Sequence, residues 1–245
     1  MLTANGTPMA RSTAGRAVSE QHRPAPIDGH QTDLLIDMDK ANELQLFPTH
    51  PWTVRAVWEI LGPLIFPDTW PDVPQDLDIY DPCAGLGHMV EPLREIFPRV
   101  FASDVHDWGK GYPVADALFF AAGKGRRNIA FMNPPFDKPL KGMAARMIRQ
   151  AQHSCEHVIA LCRLSFLSTI DRYHLHHDNE LGNLRHVLIV TERAPMQLGL
   201  YNPKCSKPQE YAYFHYQRGF KGYPQIIGIP KGSRARHFRP EDVRI

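Results

Sequence analysis

Residues 77–88, LDIYDPCAGLGH, run from a short apolar segment into an acidic turn with two glycines, and an amphipathic stretch carrying Met89, Val90, Leu93 and Ile96 follows at once. That is the pattern of a buried strand handing over to a helix. Apolar runs of strand length recur at RVFASDV (99–105), NIAFM (128–132), VIALC (158–162) and HVLIV (186–190). A helical face with Met143, Met147 and Ala151 lies among them, within 139–153. Strands alternating with helices predict an α/β architecture around a mostly parallel sheet, with helices on both faces. Upstream, Val54, Val57, Trp58 and Leu61 fall at helical spacing, with Thr49 as cap, Pro51 in the first turn and Gly62 as the stop. Trp52 and Trp58 read as core. At the other end, YAYFHYQRG (211–219) and PQIIGIP (224–230) predict two more strands, joined through a Gly-containing turn as a C-terminal antiparallel hairpin.

The chain has 245 residues, of which 43% are hydrophobic and 22% charged, enough for one large domain with a true core. Residues 1–30 are rich in small and polar residues without periodicity and predict a loosely ordered arm. Residues 31–230 form the expected domain, and 231–245 a basic, extended tail. No apolar run reaches the ~20 residues of a membrane span, and the N-terminus lacks an apolar stretch of signal-peptide length. Four scattered cysteines without a CxxC pair fit neither a zinc site nor a disulfide scaffold. These features favour a cytoplasmic protein. The net charge of +2 announces no polyanion partner in bulk, so nucleic-acid contacts must come from local patches. Candidate cations are Lys124, Arg126 and Arg127 in GKGRR, Lys138, Lys141, Arg163, and Arg234, Arg236 and Arg239. His174, His176 and His177 read as a polar loop, and no metal is expected.

In the turn, Gly85 and Gly87 permit tight backbone and close approach to a ligand. Such a turn at the carboxyl edge of a parallel sheet is where nucleoside cofactors lie. Asp104, 23 residues beyond Asp81, stands where a carboxylate can accept both hydroxyls of a ribose. A pyrophosphate-binding fingerprint would want a small residue where Val90 stands. Asp81 would repel pyrophosphate but suits an ammonium group, such as the amino-acid end of S-adenosylmethionine (SAM).

A second segment, Asn133-Pro134-Pro135-Phe136, leaves the strand expected at 128–132 on the same sheet edge. The prolines force a rigid, extended exit. The Asn133 side-chain carbonyl and the Pro134 backbone carbonyl can then converge on one –NH₂ group. Phe136 offers a flat face for a planar base.

With these residues in view, the chain resembles the SAM-dependent amino-methyltransferases, specifically the N6-adenine DNA methyltransferases of compact phage or prophage type. DPCAGLGH resembles their cofactor motif, NPPF their [DNS]PP[FYW] catalytic motif, and PTHPW (48–52) the preceding segment of the γ-type order. YAYFHYQRG is similar to their aromatic terminal strand. The resemblance implies a Rossmann-like SAM methyltransferase fold with a seven-stranded sheet, SAM as cofactor and DNA as partner. It implies cofactor contacts from Thr49, Pro51, Asp81, Pro82, Cys83, Ala84, Gly85, Gly87, Asp104, Val105, Asp116 and Asn133, with Asp116 on the cofactor adenine. Asn133, Pro134, Pro135 and Phe136 would be catalytic, and Lys138, Lys141 and Arg163 would touch nucleic acid. RNA adenine and protein glutamine methylation use an equivalent clamp and stay open, as does an inactive SAM-fold module that binds nucleic acid.

Overall fold

Seven strands lie where the apolar runs placed them: β1 (Leu77–Asp81), β2 (Val100–Ala102), β3 (Arg127–Met132), β4 (His157–Arg163), β5 (Leu184–Ile189), β6 (Tyr211–Gln217) and β7 (Gln225–Gly228). The computed structural model describes residues 36–124, 127–206 and 209–245, and all of them belong to one unit, Asp33–Ile245. The arm expected over 1–30, and Arg126, lie outside the described residues.

The strands make one sheet in the order β2-β1-β3-β4-β6-β5-β7. The pairs β1–β2, β1–β3, β3–β4 and β5–β7 are parallel, whereas β6 runs antiparallel to both its neighbours, β4 and β5. The expected terminal hairpin is therefore corrected. β6 inserts between β4 and β5, and β7 pairs with β5 alone at the sheet edge. Burial explains the choice: six successive residues of β6, Tyr211 to Tyr216, are buried, while three of the four residues of β7 are exposed. A run of large apolar side chains needs cover on both faces, which only a central position supplies.

The helices are α1 (Met38–Leu44), α2 (Pro51–Ile65), α3 (Val90–Ile96), α4 (Met143–Gln152), α5 (Tyr173–His177) and α6 (Ser233–His237). Gly62 does not end α2, which continues through Pro63 to Ile65. A Cβ at Gly62 would come within 2.3 Å of the Trp70 indole, so the glycine makes room for a packed ring. Nor does Thr49 cap the helix; His50 takes the cap position, without a side-chain bond. Trp58 anchors α2 to the sheet, with its ring stacked 5.7 Å from Phe131 of β3 and edge-on at 4.6 Å to Phe97. The HLHH segment is the short helix α5, docked by buried Leu175 and His176, and not the polar loop expected.

The last fifteen residues fold back as α6 and a 3-10 turn at Pro240–Arg244. Their side chains meet internal carboxylates: Arg236 and His237 bind Glu59 of α2, and Arg239 binds Glu95 of α3. These arginines are thus committed to the chain's own acids. Among the described residues no helix is long and apolar enough to cross a membrane.

Three histidines stand side by side on β4, β6 and β5. His157 Nδ1 lies 2.9 Å from His215 Nε2, and His215 Nδ1 lies 2.9 Å from His186 Nδ1. Neutral rings satisfy this row, since each gap takes one N–H and one bare nitrogen. Burial holds His157 and His186 down to about 4 and His215 well below its ordinary value, with neighbouring histidines and Arg185 adding to the effect. The unfolded chain binds more protons than the folded one below the ordinary value of ~6.5, so stability is intact above that pH and is lost as pH falls toward 4. The urea midpoint is expected to drop steadily between pH 6.5 and 4.5, and to drop less in His215→Gln; equal profiles would contradict the row's role.

Candidate active site

The strand order reverses between β1 and β3, because β2 lies on one side of β1 and β3 on the other. Loops leaving the carboxyl ends of these strands part there and leave a crevice. It encloses about 880 Å³ of empty space, its open mouth included, within the range of small-molecule sites.

One wall is the turn after β1. The Cys83 amide donates to Asp81 Oδ1 at 3.0 Å, the Gly85 amide to Asp104 Oδ2 at 2.8 Å, and the Gly87 amide to the Ala84 carbonyl at 2.8 Å. Gly85 (φ 51°) and Gly87 (φ 91°) occupy left-handed backbone, and a Cβ at Gly87 would strike the Tyr112 hydroxyl at 2.4 Å. Asp104 braces the turn from β2's side. Its Oδ1 also accepts from the His106 amide (3.1 Å) and the Trp108 indole (3.0 Å). With three donors on a carboxylate that takes about four, Asp104 has place for one ligand hydroxyl and not for the two expected of it. Burial raises its pKa, against the pull of those bonds.

Among the described residues, three polar atoms in this wall are buried without a hydrogen-bond partner: Asp81 Oδ2 and both ring nitrogens of His88. Burial, with the nearby Asp104 charge, lifts Asp81 to about 8, and burial holds His88 neutral, down to about 3. Buried polar atoms in native proteins are seldom left unpaired, so the wall presents an unfilled demand for hydrogen bonds. Cys83 is no nucleophile here. Its thiol packs 3.8 Å from Met147 Sδ, and burial pushes its pKa well above the ordinary range.

The opposite wall is the segment between α1 and α2 together with the exit from β3. Asn133 Nδ2 donates to the Phe47 carbonyl at 2.9 Å and to Thr49 Oγ1 at 3.0 Å, with Met196 Sδ at 3.6 Å. A carbonyl can only accept, so this bond identifies the amide nitrogen and turns Oδ1 away from it. Among the described residues Asn133 Oδ1 meets no donor. Gln45 Oε1 accepts from three successive amides beyond the prolines, Phe136 (2.7 Å), Asp137 (3.0 Å) and Lys138 (3.4 Å).

Of the residues singled out in the sequence, Thr49, Pro82, Cys83, Ala84 and Gly85 line the crevice, as do Asp104, Val105, Asp116, Asn133 and Pro135. Pro51, Asp81, Gly87, Pro134 and Phe136 are buried and do not line it. Phe136 departs from its expected role as an open platform. It is 9% exposed, with the Arg163 guanidinium over its ring at 5.1 Å and Tyr211 near-parallel at 6.3 Å. Asp116 is exposed and caps a 3-10 turn through a 2.8 Å bond from the Leu118 amide. Lys138 and Lys141 are exposed on the loop after β3 and Arg163 is exposed as the last residue of the neighbouring strand β4, with Lys138 Nζ 3.1 Å from Asn42 Oδ1. Gln45 and His88 escaped the sequence reading; His88 sits inside the glycine-turn motif, but nothing in its spacing marks it.

No protein-family model and no curated protein sequence matches the chain. Solved structures do match. The DrdV chain of a DrdV–DNA complex is 14% identical, with a TM-score of 0.53 over 82% of this chain and 29% of its own. A Pyrococcus horikoshii protein provisionally assigned as an RNA methyltransferase is 16% identical, covering 68% of this chain and 81% of its own, with a TM-score of 0.48. A SAM-dependent methyltransferase from Anabaena variabilis is 13% identical, covering 75% and 96%, with a TM-score of 0.41. This is the Rossmann-like methyltransferase fold. At such identities the likeness is one of fold. In a Rossmann-like methyltransferase fold the crevice at the reversal of strand order is the place for a nucleoside cofactor, and both motifs of this chain open onto it.

Proposed function

We propose that the chain is a SAM-dependent methyltransferase acting on the exocyclic N6 amine of adenine in DNA. The observation that carries the reading is the orientation of Asn133. With its nitrogen committed to Phe47 and Thr49, the side chain offers the crevice an acceptor only, which suits an –NH₂ group and no carbonyl.

The residues present fit the cofactor. Of the lining residues, Asp104 would receive one ribose hydroxyl and Asp116 the adenine; Asp81, buried next to the lining residue Pro82 with an orphaned oxygen, would receive the ammonium of the amino-acid end. Bound SAM supplies a methyl carbon made electrophilic by its sulfonium. The chain's part is to hold the amine. Asn133 Oδ1 accepts from it and stabilises the positive charge that develops on its nitrogen, a preorganised electrostatic contribution. Positioning of the reacting groups is worth ~7–11 kcal/mol in well-oriented systems.

Nucleic acid as substrate is supported by exposed cations near Asn133, Lys138 and Lys141 on the loop after β3 and Arg163 at the end of the neighbouring strand β4, where phosphates would be neutralised. The DrdV structure, a DNA complex, agrees with it. The deciding experiment offers labelled SAM separately to duplex DNA, single-stranded DNA, RNA and a protein extract. Label in DNA, recovered as N6-methyladenine, is expected; label in protein alone would overturn the substrate.

Cofactor binding has its own test. Asp81, held at about 8, is mostly protonated at neutral pH, whereas an ammonium partner favours the carboxylate. Binding therefore releases a proton, and SAM affinity is expected to rise by up to about tenfold per pH unit. The rise runs from pH 6 until the ligand's own amino group titrates near ~7.7. Calorimetry on Asp81→Asn should show weaker binding and a flat profile; a slope that survives the substitution would place the titrating group elsewhere.

A further inference from the structure

We infer that Gln45 and Thr49 are positioning residues for the amine clamp: the segment joining α1 to α2 dictates which end of the Asn133 amide faces the substrate. The inference rests on the amine reading above, because only an amine needs Oδ1 in that place.

A primary amide is nearly symmetrical in shape, and a half-turn about its last bond exchanges an acceptor for a donor. A donor turned toward a substrate –NH₂ would oppose it, so the clamp works only if that half-turn is prevented. Two acceptors prevent it. The Phe47 carbonyl is fixed by the backbone, and Thr49 Oγ1 stands on the other side of the same nitrogen. Reversing the amide would set Oδ1 against two oxygens, one of which has no proton to give.

The backbone that carries Asn133 is held from the same segment. The Pro-Pro pair has no N–H groups, so it cannot be tied down by its own amides. Gln45 secures the next three instead, gathering the amides of Phe136, Asp137 and Lys138 on a single oxygen. Gln45 does so from a left-handed backbone (φ 55°) as the cap that ends α1, a conformation unfavourable for a residue with a Cβ. Strain of that kind persists where surrounding contacts over-determine it. Gln45, Phe47 and Thr49 also line the crevice, so one stretch of chain forms a cofactor wall and sets the clamp.

The test compares Thr49→Val and Gln45→Met, which keep shape and remove the acceptor, with Thr49→Ser and Gln45→Glu, which retain one. Turnover, SAM affinity and thermal midpoint are measured on the full chain. The side-chain NH₂ resonances of Asn133, assigned by their loss in Asn133→Asp, are followed without any ligand. One hydrogen bond is worth up to about a tenfold change in rate. Each acceptor-deleting variant should lose about tenfold in kcat with KM for SAM within twofold, and Thr49→Ser should recover most of it. The Asn133 resonances should shift in Thr49→Val. Unmoved resonances with kcat within twofold of the wild type would overturn the inference. So would a loss confined to SAM affinity, which would make Thr49 a cofactor ligand. Should the wild-type chain methylate no amine at all, the proposed function fails, and the resonance shift alone still decides the positioning role.

Discussion

Replacing Asn133 by alanine is expected to lower turnover by about 10²–10³, with SAM affinity within twofold of the wild type. The magnitude is that of removing one preorganised polar group from a site where charge develops, ~2.7–4 kcal/mol. The division between turnover and binding follows from the geometry. Asn133 Nδ2 is occupied by Phe47 and Thr49, so the side chain has no donor left for a cofactor, and its free oxygen is the group that an amine would meet. The orphaned Asp81 oxygen carries the opposite expectation, a loss in binding that exceeds the loss in turnover. Single-turnover rates with SAM titrations on both variants separate the two roles. Equal losses of rate and affinity in each variant would show that the two walls act as one structural unit. Asn133→Asp is a sharper version. It keeps oxygen toward the crevice but sets a carboxylate oxygen against the Phe47 carbonyl, and it is expected to be as inactive as the alanine variant.

The strands were legible because each is a short apolar run between turn residues, and the two motifs because their residue types carry a physical task. Gly85 and Gly87 do adopt left-handed backbone, and Asn133 does reach the crevice. What stayed hidden depends on partners distant in sequence. Gln45 lies 91 residues before Phe136, and a lone glutamine at a helix end has no local pattern that points to so remote a contact. Neighbouring strands separated by FKGY read as a hairpin because local connection is the commonest outcome. The continuous burial demanded by YAYFHY sends β6 to the centre of the sheet instead. Phe136 looked like a stacking platform from its place in the motif, yet its surroundings were set by Arg163, at the end of the adjacent strand. Residues chosen for chemistry show in the chain itself, whereas residues chosen to support them show only once the strands are paired.

The tail offers the largest expected effect on stability. Arg55 of α2 uses all five of its N–H donors. Two go to Glu95 of α3 (2.8 and 2.7 Å), two to Asp242 (2.9 and 2.7 Å) and one to the His237 carbonyl (2.9 Å). Burial works against its charge, but the bonds it donates to Glu95 and Asp242 outweigh it and raise the pKa. Asp242 is 1% exposed, so truncating Arg55 would strand a buried carboxylate. Breaking a buried pair in this way costs about 3–5 kcal/mol, equivalent to a fall in Tm of roughly 6–20 °C for a chain of this size. Arg55→Lys should recover only part, since an ammonium cannot span two carboxylates as a planar fork does. Asp242→Ala should cost less than Arg55→Ala, because Arg55 would keep its two bonds to the half-exposed Glu95. Thermal unfolding of the three variants gives the order directly. If Asp242→Ala proved the most damaging, the strap would owe its strength to packing of the tail and not to its charges. The arrangement also bears on the crevice. α2 starts two residues after Thr49 and α3 starts three residues after Gly87, so the guanidinium joins the helices that carry its two walls.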